Sequence, residues 1–347
     1  MQNFCTLFDS NYLTRGLALY HSLQHHCPSF HLYVFAFNEE AYRCLQQLNY
    51  PHCTPISLAE FEDEALLQIK PTRSVAEYCW TCTSSTILYC LEKFQLPSCT
   101  YLDADMFFYS DPQVLFDEMG DHSILISGHN YTPAYDQSAT SGIYCVQFAC
   151  FKNDERGLTA LKWWRERCIE WCYARYEDGK FGDQKYLDDW PVRFEGVHVL
   201  QHRGEGLAPW NIQQFDVKWE NGVLTVTDRK TRQSWPAIYF HFHAVKFYTD
   251  GKVSLCGPLY ELEEQHKQLF YFPYLKQLIA LEAGLQQTGF VFNANGSRQQ
   301  APGKREVFLQ FMKETLLMMK IGKTSPFHLK NFNFSRHYHY YRTDELV

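Results

Sequence analysis

Residues 3–8 read as a short apolar strand. After Asp9-Ser10-Asn11 the apolar positions Leu13, Leu17, Tyr20 and Leu23 recur at helical spacing until Pro28 stops the pattern. A second β-rich run follows at 30–37, a second helical run at 39–48 and a third short strand at 54–58. Strand and helix in regular alternation are the signature of a parallel sheet covered by helices. The pattern next predicts a long helix over 76–94 and a buried strand over 99–102, whose end carries Asp103-Ala104-Asp105. Strands at 123–127 and 142–151 follow, then a helix capped by Asp154 that runs through Trp163, Trp164 and Trp171. Asn221-Gly222 between two β-rich runs signals a hairpin, and 237–243 reads as another strand. Beyond about residue 259 strand signals stop and helical ones take over, notably at 305–320. The expectation is an α/β domain over 1–260, a mixed sheet flanked by helices, and a helical C-terminal extension over 261–347.

Composition narrows the functional classes. With 17% aromatic and 20% charged residues a packed interior is expected and wholesale disorder is excluded. The net charge of −7 argues against nucleic acid as a partner, since a polyanion is normally bound by a broad basic surface. No window approaches the roughly 18–20 apolar residues of a bilayer span, and the N-terminal residues lack a basic region followed by an apolar core, so a cytoplasmic location is expected. Thirteen cysteines, an odd number spread through strands and helices, read as buried thiols in a reducing compartment. Cys79 and Cys82 have the spacing of a redox dithiol or half a zinc site. No second such pair completes a tetrad and the run is helical, which favours core-facing thiols.

The chemistry concentrates at Tyr101-Leu102-Asp103-Ala104-Asp105. Two carboxylates one residue apart, where an apolar strand runs out, put anionic oxygens at the sheet edge on which open α/β folds bind ligands. Such oxygens suit Mg²⁺ or Mn²⁺. An Asp-x-Asp alone also occurs on solvated loops, but residues 237–246 change its context. Strand alternation sets His241 and His243 on one face, with Lys246 just beyond. An imidazole completes the coordination of a divalent ion and a lysine ammonium neutralises a diphosphate. The alternative is an exposed strand with two solvated histidines, against which the run is otherwise apolar. In 204–211 a glycine-bearing loop precedes Trp210 and Asn211, an indole and an amide suited to a sugar acceptor, or else a loop anchored by a buried tryptophan.

These residues carry a resemblance. Phe8-Asp9-Ser10-Asn11-Tyr12, then Tyr101 to Asp105, then Phe181-Gly182-Asp183-Gln184, then His241 to Lys246, stand in the order found in GT-A fold nucleotide-sugar glycosyltransferases. Over about residues 3–260 the chain is most similar to family 8 and its bacterial lipopolysaccharide and capsule relatives. The resemblance implies that Asp9 and Asn11 hydrogen-bond the donor's base or ribose and that Tyr12 stacks on the base. It implies that Asp103 and Asp105 hold Mn²⁺ or Mg²⁺, with Asp103 also near the donor's ribose or sugar. His241 matches the family's metal-binding histidine, with His243 as the alternative, and Lys246 its pyrophosphate lysine. Asp183 and Gln184 match the pair beside the transferred sugar, where retaining members present the amide to the anomeric carbon.

Three departures stand out. The closing His-x-x-Gly-x-x-Lys motif is one residue shorter here and carries Ala244 in place of glycine. The usual Asn-x-Gly appears as Tyr144-Cys145-Val146-Gln147. The arginine expected before the Asp-x-Asp strand is missing, with Lys70, Arg73 or Glu77 as substitutes or as plain surface charges.

From 303 to 342 the chain carries eight Lys or Arg and two acidic residues, among them Lys304, Arg305, Lys313, Lys320, Lys323 and Lys330, with aromatics at Phe327, Phe332, Phe334, Tyr338, Tyr340 and Tyr341. Basic and aromatic residues together suit the inner face of an anionic membrane, or else the charged outer side of a helical cap. The resulting expectation is a metal-dependent hexosyltransferase. It would move a sugar from a nucleotide diphosphate donor, UDP favoured, to a glycan or glycolipid of surface polysaccharide or lipopolysaccharide synthesis, with retention. The rivals are a nucleotide-sugar pyrophosphorylase, whose glycine-rich phosphate loop is not found after the first strand, and a non-catalytic sugar-nucleotide-binding or membrane scaffold.

Overall fold

Side chains of the first strand, β1 (Gln2–Phe8), alternate between two core layers. Phe4 and Phe8 pack with the Leu13–His26 helix on one face of the sheet, while Cys5 and Leu7 pack with the Val75–Lys93 and Glu155–Glu170 helices on the other. The computed structural model describes residues 1–320 and 334–346. Its central sheet joins β1 to β2 (Phe30–Ala36), β3 (Cys53–Ser57), β4 (Ser98–Leu102), β6 (Ile124–Gly128), β7 (Tyr144–Lys152) and β8 (Val197–Val199), in the order β3-β2-β1-β4-β7-β6-β8. Pairing is parallel except where β7 meets β4 and β6. The fold is therefore α/β, a mostly parallel mixed sheet flanked by helices.

The chain runs β1 to β2 to β3 in one direction and returns to place β4 on the far side of β1. The carboxyl ends of β1 and β4 thus flank the point where strand order reverses, the crevice in which open α/β sheets bind ligands. Asp9 follows β1 and Asp103 follows β4. A short strand, β5 (Met106–Phe108), continues from the second of these ends.

Smaller sheets complete the body. The hairpin of β9 (Phe215–Glu220) and β10 (Val223–Asp228) turns through Asn221 and Gly222, both at positive φ (50° and 82°), as a tight two-residue hairpin loop requires. β11 (Ser234–Pro236) pairs with β10. β12 (Tyr239–His241) pairs antiparallel with β5. β13 (Lys246–Phe247), β14 (Lys252–Ser254) and β15 (Tyr340–Arg342) form the last sheet.

Two expectations change. The strand expected over 237–243 is only three residues long, because the chain turns after His241 with Val245 N–H donating to Phe242 O and Ala244 at φ 65°. In addition, Tyr340–Arg342 is a strand, where only helices were expected after 259; it is three residues long and, among the described residues, takes its ladder from β14. The C-terminal region does contain helices, at Phe272–Gln287 and Lys304–Lys320. The first sets Leu275 and Leu278 in a core layer with Phe240 and stacks Tyr274 on Phe242 at 3.7 Å. All thirteen cysteines are free thiols, and all but Cys53 and Cys79 are buried. Among the described residues no helix is long and apolar enough to cross a membrane. Lys323, Phe327, Lys330 and Phe332 of the basic, aromatic stretch lie outside the described residues.

Candidate functional site

The end of β4 is shaped by two backbone bonds. Asp103 N–H donates to Gln147 O on β7 (3.2 Å) and Met106 N–H donates to Asp103 O (3.2 Å), closing a tight turn that presents both carboxylates before the chain enters β5. Register then delivers the imidazole: β12 pairs with β5 so that His241 stands opposite Met106, and Phe242 N–H donates to Asp105 O (2.9 Å). His241 Nε2 lies 3.1 Å from Asp105 Oδ1 and 3.7 Å from Asp103 Oδ2. One ligand atom from each of the three residues lies within 4.8 Å of the others.

His243, within the turn, is exposed, its ring 5.7 Å from that of His241 and edge-on to Trp210. The two histidines do not share a strand face, because β12 ends at the first of them.

Burial and charge act against each other in this cluster. Burial raises the Asp103 carboxyl above its ordinary range, and the Asp105 charge adds to that against the pull of His241. Burial works on Asp105 in the same sense but is outweighed by the His241 charge and hydrogen bond, which hold it at about 2. For His241 the desolvation penalty is overcome by Asp105, so the imidazole is raised well above its usual value. Two carboxylates, Asp105 buried and Asp103 partly open, and a buried imidazole fit a hard or borderline divalent ion, and such an ion would displace the His241 proton. The set is two oxygens and one nitrogen, all near the crevice, which leaves coordination positions for a ligand's own oxygens.

The other expected residues surround this corner. Asp9 caps a short turn, its Oδ1 accepting from Asn11 N–H (2.9 Å) and its Oδ2 from the Asn11 amide (2.8 Å). Tyr12 is 40% exposed, with the Arg15 guanidinium 4.4 Å from its ring centre. Arg15 itself is buried and donates to Val245 O (2.9 Å), tying the first helix to the segment that bears Lys246. Lys246 is exposed, 5.5 Å from the Tyr248 ring centre.

Asp183 is buried; burial first, and then the Asp103 charge, push its carboxyl up to about 7 against a hydrogen bond from Thr83. Gln184 Nε2 donates to Ser141 O. Tyr101, two residues before Asp103 on the same strand face, hydrogen-bonds that carboxylate.

Trp210 and Asn211 stand apart from the acceptor expectation. Both are buried: the indole N–H donates to His129 O (2.9 Å), the Asn211 amide donates to His129 O (3.0 Å) and Gly206 O (2.7 Å), and Asn211 Oδ1 accepts from Ala208 N–H (2.9 Å). Their polar atoms are taken up in holding the 204–211 loop, and the indole packs edge-on against His241 at 5.4 Å.

Lys70, Arg73 and Glu77 likewise have local work: Lys70 pairs with Glu62, Arg73 lies over the Tyr173 ring, and Glu77 closes a capping box with Ser74.

Gln147, noted in the sequence only as part of the stretch replacing Asn-x-Gly, forms with Ser127 and Glu205, to which the sequence assigned no role, a buried polar line behind His241. The signal was available in Tyr144-Cys145-Val146-Gln147-Phe148, since an amide inside an otherwise apolar strand needs a partner. Glu205 is buried, and desolvation raises its carboxyl to about 7 against hydrogen bonds from Ser127 and Tyr239.

No family model matches the chain. Its course resembles that of the galactosyltransferase LgtC, solved in complex with donor and acceptor sugar analogues, at 15% identity over 80% of this chain and 96% of LgtC, with a TM-score of 0.47. A likeness that shallow carries no argument about chemistry. In sequence the chain is 31% identical to the uncharacterized protein YfnF of Bacillus subtilis (strain 168) over 258 residues, 72% of this chain and 84% of YfnF. It is also 31% identical to YfnD of the same organism over 284 residues, 80% of this chain and 88% of YfnD. The chain belongs to the family of YfnD and YfnF.

Proposed function

We propose that the protein is a GT-A type glycosyltransferase that uses Mn²⁺ or Mg²⁺ to move a hexose from a nucleotide diphosphate donor, a UDP-sugar favoured, to a glycan or glycolipid acceptor. The observation that carries this reading is the Asp103, Asp105 and His241 cluster at the β1/β4 switch point. Asp9, Asn11 and Tyr12 stand at the end of β1 for the base and ribose, and the half-open Tyr12 face suits stacking. Bound between Asp103, Asp105 and His241, a divalent ion would supply Lewis acidity to the departing diphosphate. Lys246 adds a mobile ammonium for the same charge.

On the sugar side, oxocarbenium character is met by the Asp183 carboxylate and by Gln184. The Gln184 Nε2 is engaged with Ser141 O, so Oε1 is the atom available to face the anomeric carbon, the arrangement expected of retention. The acceptor proton is assigned to the leaving phosphate. The test is whether nucleotide diphosphate sugars bind only when the divalent ion is present.

The acceptor reading extends to peripheral contact with an anionic inner leaflet. Supporting it, the Lys304–Lys320 helix exposes Leu309, Leu316 and Leu317 beside Lys304, Arg305, Lys313 and Lys320. Sedimentation with phosphatidylglycerol vesicles but not phosphatidylcholine vesicles is expected, and Leu316→Asp should abolish it. Equal recovery in the supernatant with both lipids would end this reading.

A further inference from the structure

Behind the candidate metal corner lies a line of buried side chains whose hydrogen bonds have one consistent direction when Glu205 is ionised. Glu205 Oε2 accepts from Ser127 Oγ (2.6 Å) and from the Tyr239 hydroxyl (2.7 Å). Ser127 has one proton, and Gly128 O, another acceptor, is at 3.5 Å, so an ionised Glu205 takes that proton. Ser127 can then offer Gln147 only a lone pair, which obliges Gln147 to turn its Nε2 toward Ser127 (3.4 Å). The Gln147 carbonyl oxygen is left facing His241 Nδ1 at 2.6 Å, and since Oε1 only accepts, Nδ1 must carry a proton. The nitrogen left to bind an ion is Nε2, the one that faces Asp105 and Asp103.

With Glu205 ionised, the opposite amide orientation, which would give His241 a donor at Nδ1, is excluded by the destination of the Ser127 proton. The line is packed closely enough to hold its geometry. Gly206, at φ 62°, lies against it, and a Cβ there would stand 3.0 Å from Gln147 Nε2 and 3.1 Å from Ser127 Oγ. Gln147 also holds the other arm of the site, because its backbone carbonyl accepts from Asp103 N–H.

We infer that Gln147, oriented through Ser127 by Glu205, is a positioning residue that sets the His241 tautomer for divalent-ion binding. Histidine ligands commonly donate their second nitrogen to such a partner, and removing it typically costs 10–100-fold in metal affinity. Gln147→Met keeps the bulk and removes the acceptor. Glu205→Gln acts two hydrogen bonds away: its amide can donate to Ser127, which frees the Ser127 proton for Gln147 and reverses the polarity of the whole line.

This inference rests on the metal-dependent reading above, and the test separates the two. Titrate Mn²⁺ into each purified protein, following free ion by electron paramagnetic resonance, with thermal unfolding measured alongside. Wild type is expected to bind Mn²⁺. Gln147→Met and Glu205→Gln are expected to bind about 10–100-fold more weakly, and Gln147→Glu, which restores an acceptor at Nδ1, is expected to recover most of the loss. Wild-type affinity in folded Gln147→Met and Glu205→Gln would overturn the inference while leaving the metal site standing, as would equal loss in Gln147→Met and Gln147→Glu at matched stability. No Mn²⁺ binding by wild type would overturn the metal reading and this inference with it.

Discussion

Replacing Asp103 and Asp105 together by Asn is expected to lower donor turnover by at least about a thousandfold. Lewis-acid stabilisation of a leaving phosphate is worth several kcal/mol, and each ~1.4 kcal/mol is a factor of ten in rate. Asn preserves shape, so the turn built on Asp103 O and Asp105 O, both backbone atoms, has no reason to open. What the substitution removes is the negative charge that His241 faces at 3.1 and 3.7 Å. The folded double variant should therefore be inert in excess Mn²⁺. Single variants should be unequal, because Asp105, held at about 2, stays ionised where Asp103 is pushed upward by burial. Release of nucleotide diphosphate, measured chromatographically, checks this, and full turnover in the folded double variant would remove Asp103 and Asp105 from the mechanism.

A second large effect concerns acid. His129, His266 and His339 are buried, and desolvation pushes their imidazoles down to about 3, 4 and 4 respectively. Unfolded, each titrates near 6.5. Between those values the unfolded chain takes up protons that the folded chain refuses. The stability held by each neutral imidazole is complete above pH 6.5 and is lost as pH falls toward 4, at up to about 1.4 kcal/mol per unit. Asp183 and Glu205, both raised to about 7, titrate with the opposite sign over the same interval, since the folded state holds their protons longer than the unfolded one.

A comparison of variants isolates the histidine effect where the wild-type curve does not. His266→Gln and His339→Gln are each expected to be less stable than wild type at pH 7.5 and to regain up to roughly 3 kcal/mol relative to it by pH 4.5. Asp183→Asn should show the reverse trend, gaining on wild type as pH rises from 4 to 7. Urea unfolding at the two pH values measures these differences, and offsets that do not move with pH would show that these groups titrate alike in both states.

Much of the architecture was legible because it is local. Period-2 and period-3.6 runs mark β1, the helix after it, β2 and β4, and Asp154 and Asn221-Gly222 mark a helix start and a hairpin by capping and turn chemistry alone. Asp103 and Asp105 were legible because they follow an apolar strand. The turn after His241 was not, since Ala244 at φ 65° is a conformation no alanine announces, and that turn is what separates His243 from the cluster. Tyr340–Arg342 was hidden for a related reason: three residues carry no periodicity, and only the ladder with β14 makes them a strand. Trp210 and Asn211 have the composition of a sugar contact, yet their polar atoms close on His129 and Gly206, partners visible only once the loop is folded. The line from Glu205 to His241 joins positions 78, 20 and 94 residues apart, and its direction depends on where a single hydroxyl proton goes.

The central claim is that Asp103, Asp105 and His241 hold a divalent ion through which a donor diphosphate is bound. Thermal unfolding of the protein with a panel of nucleotide diphosphate sugars, each in Mn²⁺ and in EDTA, tests it most directly. A ligand that binds only the native state at a hundredfold excess over its Kd adds about 2.7 kcal/mol, a rise of several degrees in Tm. The account predicts such a rise for at least one donor in Mn²⁺, absent in EDTA and absent in the Asp103→Asn, Asp105→Asn variant. An equal rise in EDTA, or none with any donor in Mn²⁺, would contradict it.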